Sequence, residues 1–173
     1  SIVPLILVGP MGAGKSTLGR HLAQLLDRPF FDSDRVSEEK TGADIPWIFD
    51  MEGEVGFRRR EQDVIDELTR ESGIVLATGG GVVVTPENRT FLHERGCVVY
   101  LWTPVDIQLA RTRNDKGRPL LQTADPRARL ETLFAERDPL YRQVAHHVVS
   151  TASGNLKKVA DDVLACLDSH PQG

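Results

Sequence analysis

One stretch limits the possible folds more than any other. Gly9-Pro10-Met11-Gly12-Ala13-Gly14-Lys15-Ser16 fits G-x-x-x-x-G-K-[ST], directly after an apolar run at Ile6–Val8 and at the mouth of an amphipathic run over Ser16–Leu26. Such a loop needs glycine because backbone N–H groups must turn inward around phosphate oxygens, in conformations that a side chain obstructs. The helix that follows adds its unpaired N–H groups and the positive end of its dipole to the same point. Lys15 is then placed to reach β- and γ-phosphates, and the Ser16 hydroxyl to ligate Mg²⁺. A glycine-rich turn that happens to contain Lys-Ser is the competing reading, and the strand before it and the helix after it argue against that.

The rest of the chain repeats the same unit. Short apolar runs at Pro29–Asp32, Ile74–Ala77, Cys97–Leu101 and His147–Val149 read as strands. Helical patterns separate them: one from Val36, then Glu54–Glu71, Pro86–Glu94, Val105–Arg111, Asp125–Val144 with an interruption at Pro139, and Leu156–Leu167. The strands are continuously apolar, as in Cys97-Val98-Val99-Tyr100-Leu101, which is the pattern of strands covered on both faces. The expectation is an α/β fold, a three-layer α/β/α sandwich around a central parallel sheet of five strands. With 173 residues, 40% hydrophobic and 27% charged, and with no internal repeat, the chain reads as one domain over 1–173 with a core of ordinary size. Two polar stretches, Thr41–Gly53 and Thr112–Ala124, break the rhythm and read as binding or covering loops.

Composition excludes several classes of function. Lys+Arg number 21 against 25 Asp+Glu, a net charge of −4, so the surface as a whole repels a nucleic-acid backbone. The longest apolar run, Ile2–Val8, contains Pro4 and is far too short for a bilayer core of about 30 Å, and no basic leader precedes it. Cys97 and Cys166 lie far apart, so neither a disulfide framework nor a zinc-ligand cluster assembles from them, and both read as core packing in a reduced, cytoplasmic setting. His146 and His147 fall on opposite sides of a strand, which argues against a shared metal. No heptad run or long apolar stripe demands assembly, so a monomer is expected.

A phosphate loop leaves open what accepts the phosphoryl group. Phe30-Phe31-Asp32-Ser33-Asp34 puts two carboxylates at the end of a strand, where open α/β sheets bind ligands. One suits the metal and the other an acceptor hydroxyl; alternatively Asp34 or Ser33 caps the next helix. Gly79-Gly80-Gly81 leaves a buried strand at the same edge, either as a flexible turn or as backbone approached closely by a ligand. Arg58-Arg59-Arg60 occupies helical positions about 100° apart, so at most one or two of these side chains face a cleft. Glu61 is placed to pair with Arg58 at i,i+3.

Taken together these segments resemble the shikimate kinase family along nearly the whole chain. The resemblance is carried by Gly9 through Thr17, Phe31-Asp32-Ser33-Asp34, Gly42-Ala43-Asp44-Ile45 with Ile48-Phe49, and Gly53-Glu54 with Phe57-Arg58 and Glu61. It continues through Thr78-Gly79-Gly80-Gly81-Val82-Val83, Arg118-Pro119-Leu120-Leu121 and Arg137-Asp138-Pro139-Leu140-Tyr141. It implies a P-loop, nucleoside-monophosphate-kinase-like fold with an acceptor-binding insertion over about 33–61 and a mobile lid over about 112–124. It further implies transfer of the γ-phosphoryl of ATP to the 3-hydroxyl of shikimate in aromatic amino acid biosynthesis.

By the same resemblance Gly12, Ala13, Gly14, Lys15, Ser16 and Thr17 hold ATP phosphates, Ser16 and Asp32 serve Mg²⁺, and Asp34 binds substrate hydroxyls as candidate proton acceptor. Arg58 and Arg137 hold the acceptor carboxylate, Glu61 orients Arg58, and Gly79, Gly80 and Gly81 give backbone contacts. Arg118 reaches the transferring phosphates from the lid, and Arg111 lies against the adenine. Lys15, Asp34 and Arg118 are the catalytic group. Base contacts are not assigned to Ser150–Asn155, which lacks the proline common in that late loop. A kinase for another small acceptor such as gluconate, or a nucleotide switch without acceptor, shares the phosphate loop but gives Asp32 and Asp34 a different task or none.

Overall fold

In a computed structural model, residues 2–112 and 123–171 are described. Five parallel strands, β1 (Leu5–Val8), β2 (Phe30–Asp32), β3 (Val75–Ala77), β4 (Cys97–Trp102) and β5 (His147–Ser150), form one sheet in the order β2-β3-β1-β4-β5. Register follows Leu5↔Val75 and Leu5↔Cys97 across the centre, and Val99↔His147 at one edge. Helices α1 (Lys15–Leu26), α2 (Ser33–Thr41), α3 (Ile45–Leu68), α4 (Pro86–Arg95), α5 (Val105–Thr112), α6 (Pro126–Val144) and α7 (Leu156–Ser169) make the connections.

The continuous apolar strands are explained by two cores. Leu5, Leu7, Val99 and Leu101 face Leu22 of α1 and Val163 of α7. Ile6, Val8, Val98 and Tyr100 face Val64 and Ile65 of α3, Leu92 of α4 and Tyr141 of α6. Each such aliphatic side chain, wholly removed from water, contributes about 1.5–3 kcal/mol, so the central strands are the rigid part of the molecule. β1 sits between β3 and β4, where the strand order reverses, and its C-terminal end is therefore the crevice in which such sheets bind ligands.

Several boundaries differ from the sequence pattern for local reasons. α2 starts at Ser33 rather than Val36 because Asp32 caps it, its Oδ1 accepting from the N–H groups of Asp34 (3.0 Å) and Arg35 (3.3 Å). Thr41–Gly53, expected as a loop, is instead helical from Ile45 and joins the next helix. Asp44 caps α3 by accepting from Trp47 N–H, and Gly53, at φ 70° and ψ −179°, kinks the helix instead of ending it. Arg60 donates two 2.7 Å bonds to Glu52 across that kink. α3 stops at Leu68, not Glu71. α6 runs through Pro139 without the expected interruption, since Asp138 accepts from Tyr100 Oη and Tyr141 Oη donates to Gly80, which anchors the helix on both sides of the missing N–H.

Candidate active site

The phosphate loop has the conformation its sequence demands. Gly12 and Gly14 lie at φ 82° and 85°, and Gly14 caps α1 with no side chain on the helix's first N–H groups. Those donors and the dipole face the loop's hollow. The Lys15 ammonium donates to the carbonyls of Gly9 (2.6 Å) and Pro10 (2.8 Å), and Arg111 on α5 donates to Gly12 O at 2.8 Å. A cavity of about 250 Å³ brings Gly12, Lys15, Ser16, Asp32, Asp34 and Gly79 together.

Asp32 serves two elements at once. While Oδ1 caps α2, Oδ2 accepts from the Ser16 hydroxyl at 2.6 Å. The helix cap is thus Asp32 itself, not Ser33 or Asp34, and Asp34 is presented by the first turn of α2. Its carboxylate lies against the glycine run so closely that a Cβ at Gly79 would be 2.5 Å from Asp34 Oδ1. Ser33, fully buried, accepts a 3.0 Å hydrogen bond from Gly79 N–H, so that backbone donor is committed to the fold.

The same run shapes the arginine side. A Cβ at Gly81 would come within 2.8 Å of Arg58 Cζ. Arg58 Nη1 donates to Glu61 Oε1 at 3.0 Å, with Glu61 1% exposed and the Arg58 side chain 13% exposed. Burial pushes the Glu61 carboxyl up to about 7; the Arg58 guanidinium opposes this, Asp34 adds to it, and Arg137 opposes it. Arg58 Nε and Glu61 Oε2 are buried without a hydrogen-bond partner among the described residues. Arg137 is buried on α6, one helical turn before Tyr141, whose hydroxyl donates to Gly80 O. Burial pushes the Tyr141 hydroxyl up to about 12 although the Arg137 charge pulls it down, so it stays a donor. Arg58 and Arg137 line one cavity of about 640 Å³, with Glu54 and Arg129.

Most residues singled out in the sequence therefore converge on the C-terminal edge of the sheet. Gly12, Lys15, Ser16, Thr17, Asp32, Asp34, Gly79, Gly80 and Arg111 line the phosphate cavity, and Arg58, Glu61, Gly81 and Arg137 stand beside it. Ala13 faces instead a neighbouring cavity of about 290 Å³ with Thr17, Arg111, Thr151 and Asn155. Of the three consecutive arginines, Arg58 turns inward and Arg60 turns to Glu52. Arg118 and most of the stretch expected as a lid lie outside the described residues. Sequence reasoning gave Ser33 only a capping role and Tyr141 only a place in the family motif, and missed that both hold the glycine run; the i,i+4 spacing of Tyr141 from Arg137 was the available signal. It also missed the cavity at Thr151 and Asn155.

Backbone donors, one lysine and hydroxyl and carboxylate oxygens surround the space for a phosphate chain, with a carboxylate and two arginines facing it, an arrangement that aligns and neutralises. That is the cleft of a P-loop phosphotransferase. The family model for shikimate kinase matches residues 11–168. Shikimate kinase of Halorhodospira halophila is 60% identical over 167 residues, 96% of this chain and 94% of that protein. The structure of shikimate kinase from Acinetobacter baumannii in complex with shikimate superposes at TM-score 0.95 with 55% identity, covering 98% of this chain and 94% of that one. A gluconokinase from Sinorhizobium meliloti, TM-score 0.59 at 16% identity, shares the fold alone. The chain belongs to the shikimate kinase family.

Proposed function

We propose that this chain transfers the γ-phosphoryl group of ATP to the 3-hydroxyl of shikimate, giving shikimate 3-phosphate for aromatic amino acid biosynthesis. One observation carries the reading: the glycine run after β3 is tightly approached by Asp34 at Gly79 and by Arg58 at Gly81, so a group suited to a hydroxyl and a group suited to a carboxylate stand along one short stretch of backbone beside the phosphate loop. Arginine suits the second task because its planar fork matches a carboxylate in two parallel hydrogen bonds. The buried Glu61 fixes that fork, and Arg137, held on α6 beside Tyr141, supplies a second one.

In this reading Gly12, Ala13, Gly14, Lys15, Ser16 and Thr17 bind the ATP phosphates, and Arg111 covers the adenine. Lys15 swings from the Gly9 and Pro10 carbonyls to the phosphate chain. Arg118, by the family resemblance, adds a further positive charge. Asp34 orients the acceptor hydroxyl and takes its proton; a loose phosphoryl-transfer transition state needs alignment and charge neutralisation more than a strong base. The hard oxygen donors Ser16 Oγ and Asp32 Oδ2, 2.6 Å apart, fit Mg²⁺, which takes few protein ligands and keeps its waters. When bound there the ion neutralises charge on the phosphate oxygens.

Residues 33–61 form the acceptor-binding insertion of a single domain, for which the family resemblance implies a lid over about 112–124. The protein acts as a cytoplasmic monomer without nucleic-acid or membrane partners; among the described residues no helix is long and apolar enough to cross a membrane. ADP release with a panel of acceptors tests the proposal. Turnover should depend on shikimate and stay at background with gluconate or AMP. Comparable rates on gluconate with none on shikimate would overturn it, and slow acceptor-independent release would point to a switch.

A further inference from the structure

We infer that Cys97, His147 and His170 form a binding site for a borderline-soft divalent transition metal of the Zn²⁺ class, at the opposite edge of the sheet from the phosphotransfer cleft. The Cys97 sulfur and one ring nitrogen from each histidine all lie within 4.8 Å of one another, the cysteine buried and both histidines half-buried. Sequence alone gave no hint of this, because the two neighbouring histidines point apart. His146 stacks on His93 of α4 at 4.2 Å, on one face of the sheet, and His147 turns to the other. The missing partner comes from the far end of the chain.

Two of the ligands are set by the sheet. Cys97 and His147 are the first residues of β4 and β5, and Val99 pairs with His147. Side chains two apart on a strand share a face, so Cys97 and His147 sit side by side on the face covered by α7. His170 follows α7, which is fastened to that face by Val159, Ala160, Val163 and Leu167. A tetrahedral ion with bonds of about 2.3 Å to sulfur and 2.0–2.1 Å to nitrogen holds its ligand atoms about 3.5 Å apart. Closure from the present spacing takes about 1 Å of movement at each ring, which the side chains of His170, at the C-cap of α7, and of His147, at the first position of an edge strand, accommodate. One thiolate and two imidazoles leave a fourth position for water, a donor set that favours Zn²⁺ over Mg²⁺ or Ca²⁺.

His146 accepts from Val98 N–H at Nδ1 and lies edge-on to His170 at 4.8 Å, and burial pushes it down to about 4, so it brings no positive charge at neutral pH. Burial, then His147 and His93, lower His170 as well. Burial raises the Cys97 thiol to about 11, with Cys166 adding to the shift and Arg28 opposing it. The thiol therefore holds its proton until a cation displaces it to solvent, as binding to cysteine requires.

Titration of the reduced, nucleotide-free protein with Co²⁺ tests the site, and omitting nucleotide keeps the ion from the Ser16 and Asp32 oxygens. One equivalent should bind with a thiolate-to-cobalt charge-transfer band, and Zn²⁺ should bleach it. Cys97→Ala should lose the band and Cys166→Ser should keep it. His170→Ala, at a half-buried position beyond the last helix, should fold normally, turn over shikimate at the original rate and bind Co²⁺ at least tenfold more weakly. Zn²⁺ should raise the Tm of the original protein and not that of His170→Ala. The inference is wrong if no charge-transfer band forms, if Cys97→Ala retains it, or if His170→Ala binds Co²⁺ unchanged.

Discussion

The phosphate half of the cleft and its acceptor half are built by different means. The first is backbone, a loop shaped by the positive-φ glycines Gly12 and Gly14 and by the uncapped start of α1. The second is side chain. Asp34, Arg58 and Arg137 arrive from α2, α3 and α6 and are steadied by groups that touch no ligand in the proposed mechanism: Ser33 under Gly79, Glu61 under Arg58, Tyr141 on Gly80. The difference teaches where change is tolerated. A backbone cradle fails as a whole, whereas an acceptor pocket held by supporting contacts can be detuned piece by piece.

Lys15→Met should show the first kind of failure, lowering kcat at least about a thousandfold with circular dichroism and Tm unchanged. Near-normal ADP release would remove the phosphate half from the mechanism. Arg137→Ala should separate the halves. About 2–5 kcal/mol should disappear from kcat/KM for shikimate while KM for ATP stays within twofold, and equal losses for both substrates would erase the distinction.

Ser33→Ala should act on stability rather than chemistry. It leaves the buried Gly79 N–H without its acceptor, at a cost of about 1–3 kcal/mol in urea unfolding. Gly81→Ala should move the Arg58 guanidinium rather than the chain, raising KM for shikimate about tenfold, about 1.4 kcal/mol, with little change in Tm.

The smallest effect is a pH slope. Glu61 holds its proton more tightly folded, at about 7, than at its ordinary value of 4.5, so the folded state binds more protons between these values. Its contribution to stability therefore worsens as pH rises from 4.5 to 7. Glu61→Gln should be flatter, and relative to it the original protein should lose stability between pH 5 and 7.5. A difference of opposite sign would mean that the Arg58 pair outweighs burial.

The same contrast explains what could be read from the sequence. The phosphate loop is contiguous and its chemistry is local, so residues 9–16 with their flanking patterns sufficed. The central strands β1, β3 and β4 were legible because each is a buried, continuously apolar run, and the partly buried edge strands β2 and β5 because short apolar stretches fall between helical patterns. The acceptor half is an agreement among distant segments. Spacing alone left Asp32 and Asp34 divided between metal, hydroxyl and cap, and only the family resemblance sorted them. The structure shows that Asp32 caps α2 with one oxygen and accepts from the Ser16 hydroxyl with the other, so in the proposed mechanism cap and metal ligand are one residue, which no single-role reading allowed. Gly53 and Pro139 misled for the opposite reason: each sits inside a helix that a local rule would end, the first spanned by the Glu52–Arg60 bridge within α3 and the second held by the Tyr100 and Tyr141 anchors.

Asp32 is a strut with two ends. One oxygen grips the helix that carries Asp34, the other grips the hydroxyl at the head of α1, and nothing longer than a carboxylate separates them. In the proposed mechanism the spacing between phosphoryl donor and acceptor is thus set by one rigid planar group rather than by the packing of two helices. Any occupant that draws Ser16 aside pulls on the same lever that positions Asp34, so filling one room of the cleft adjusts the furniture of the next.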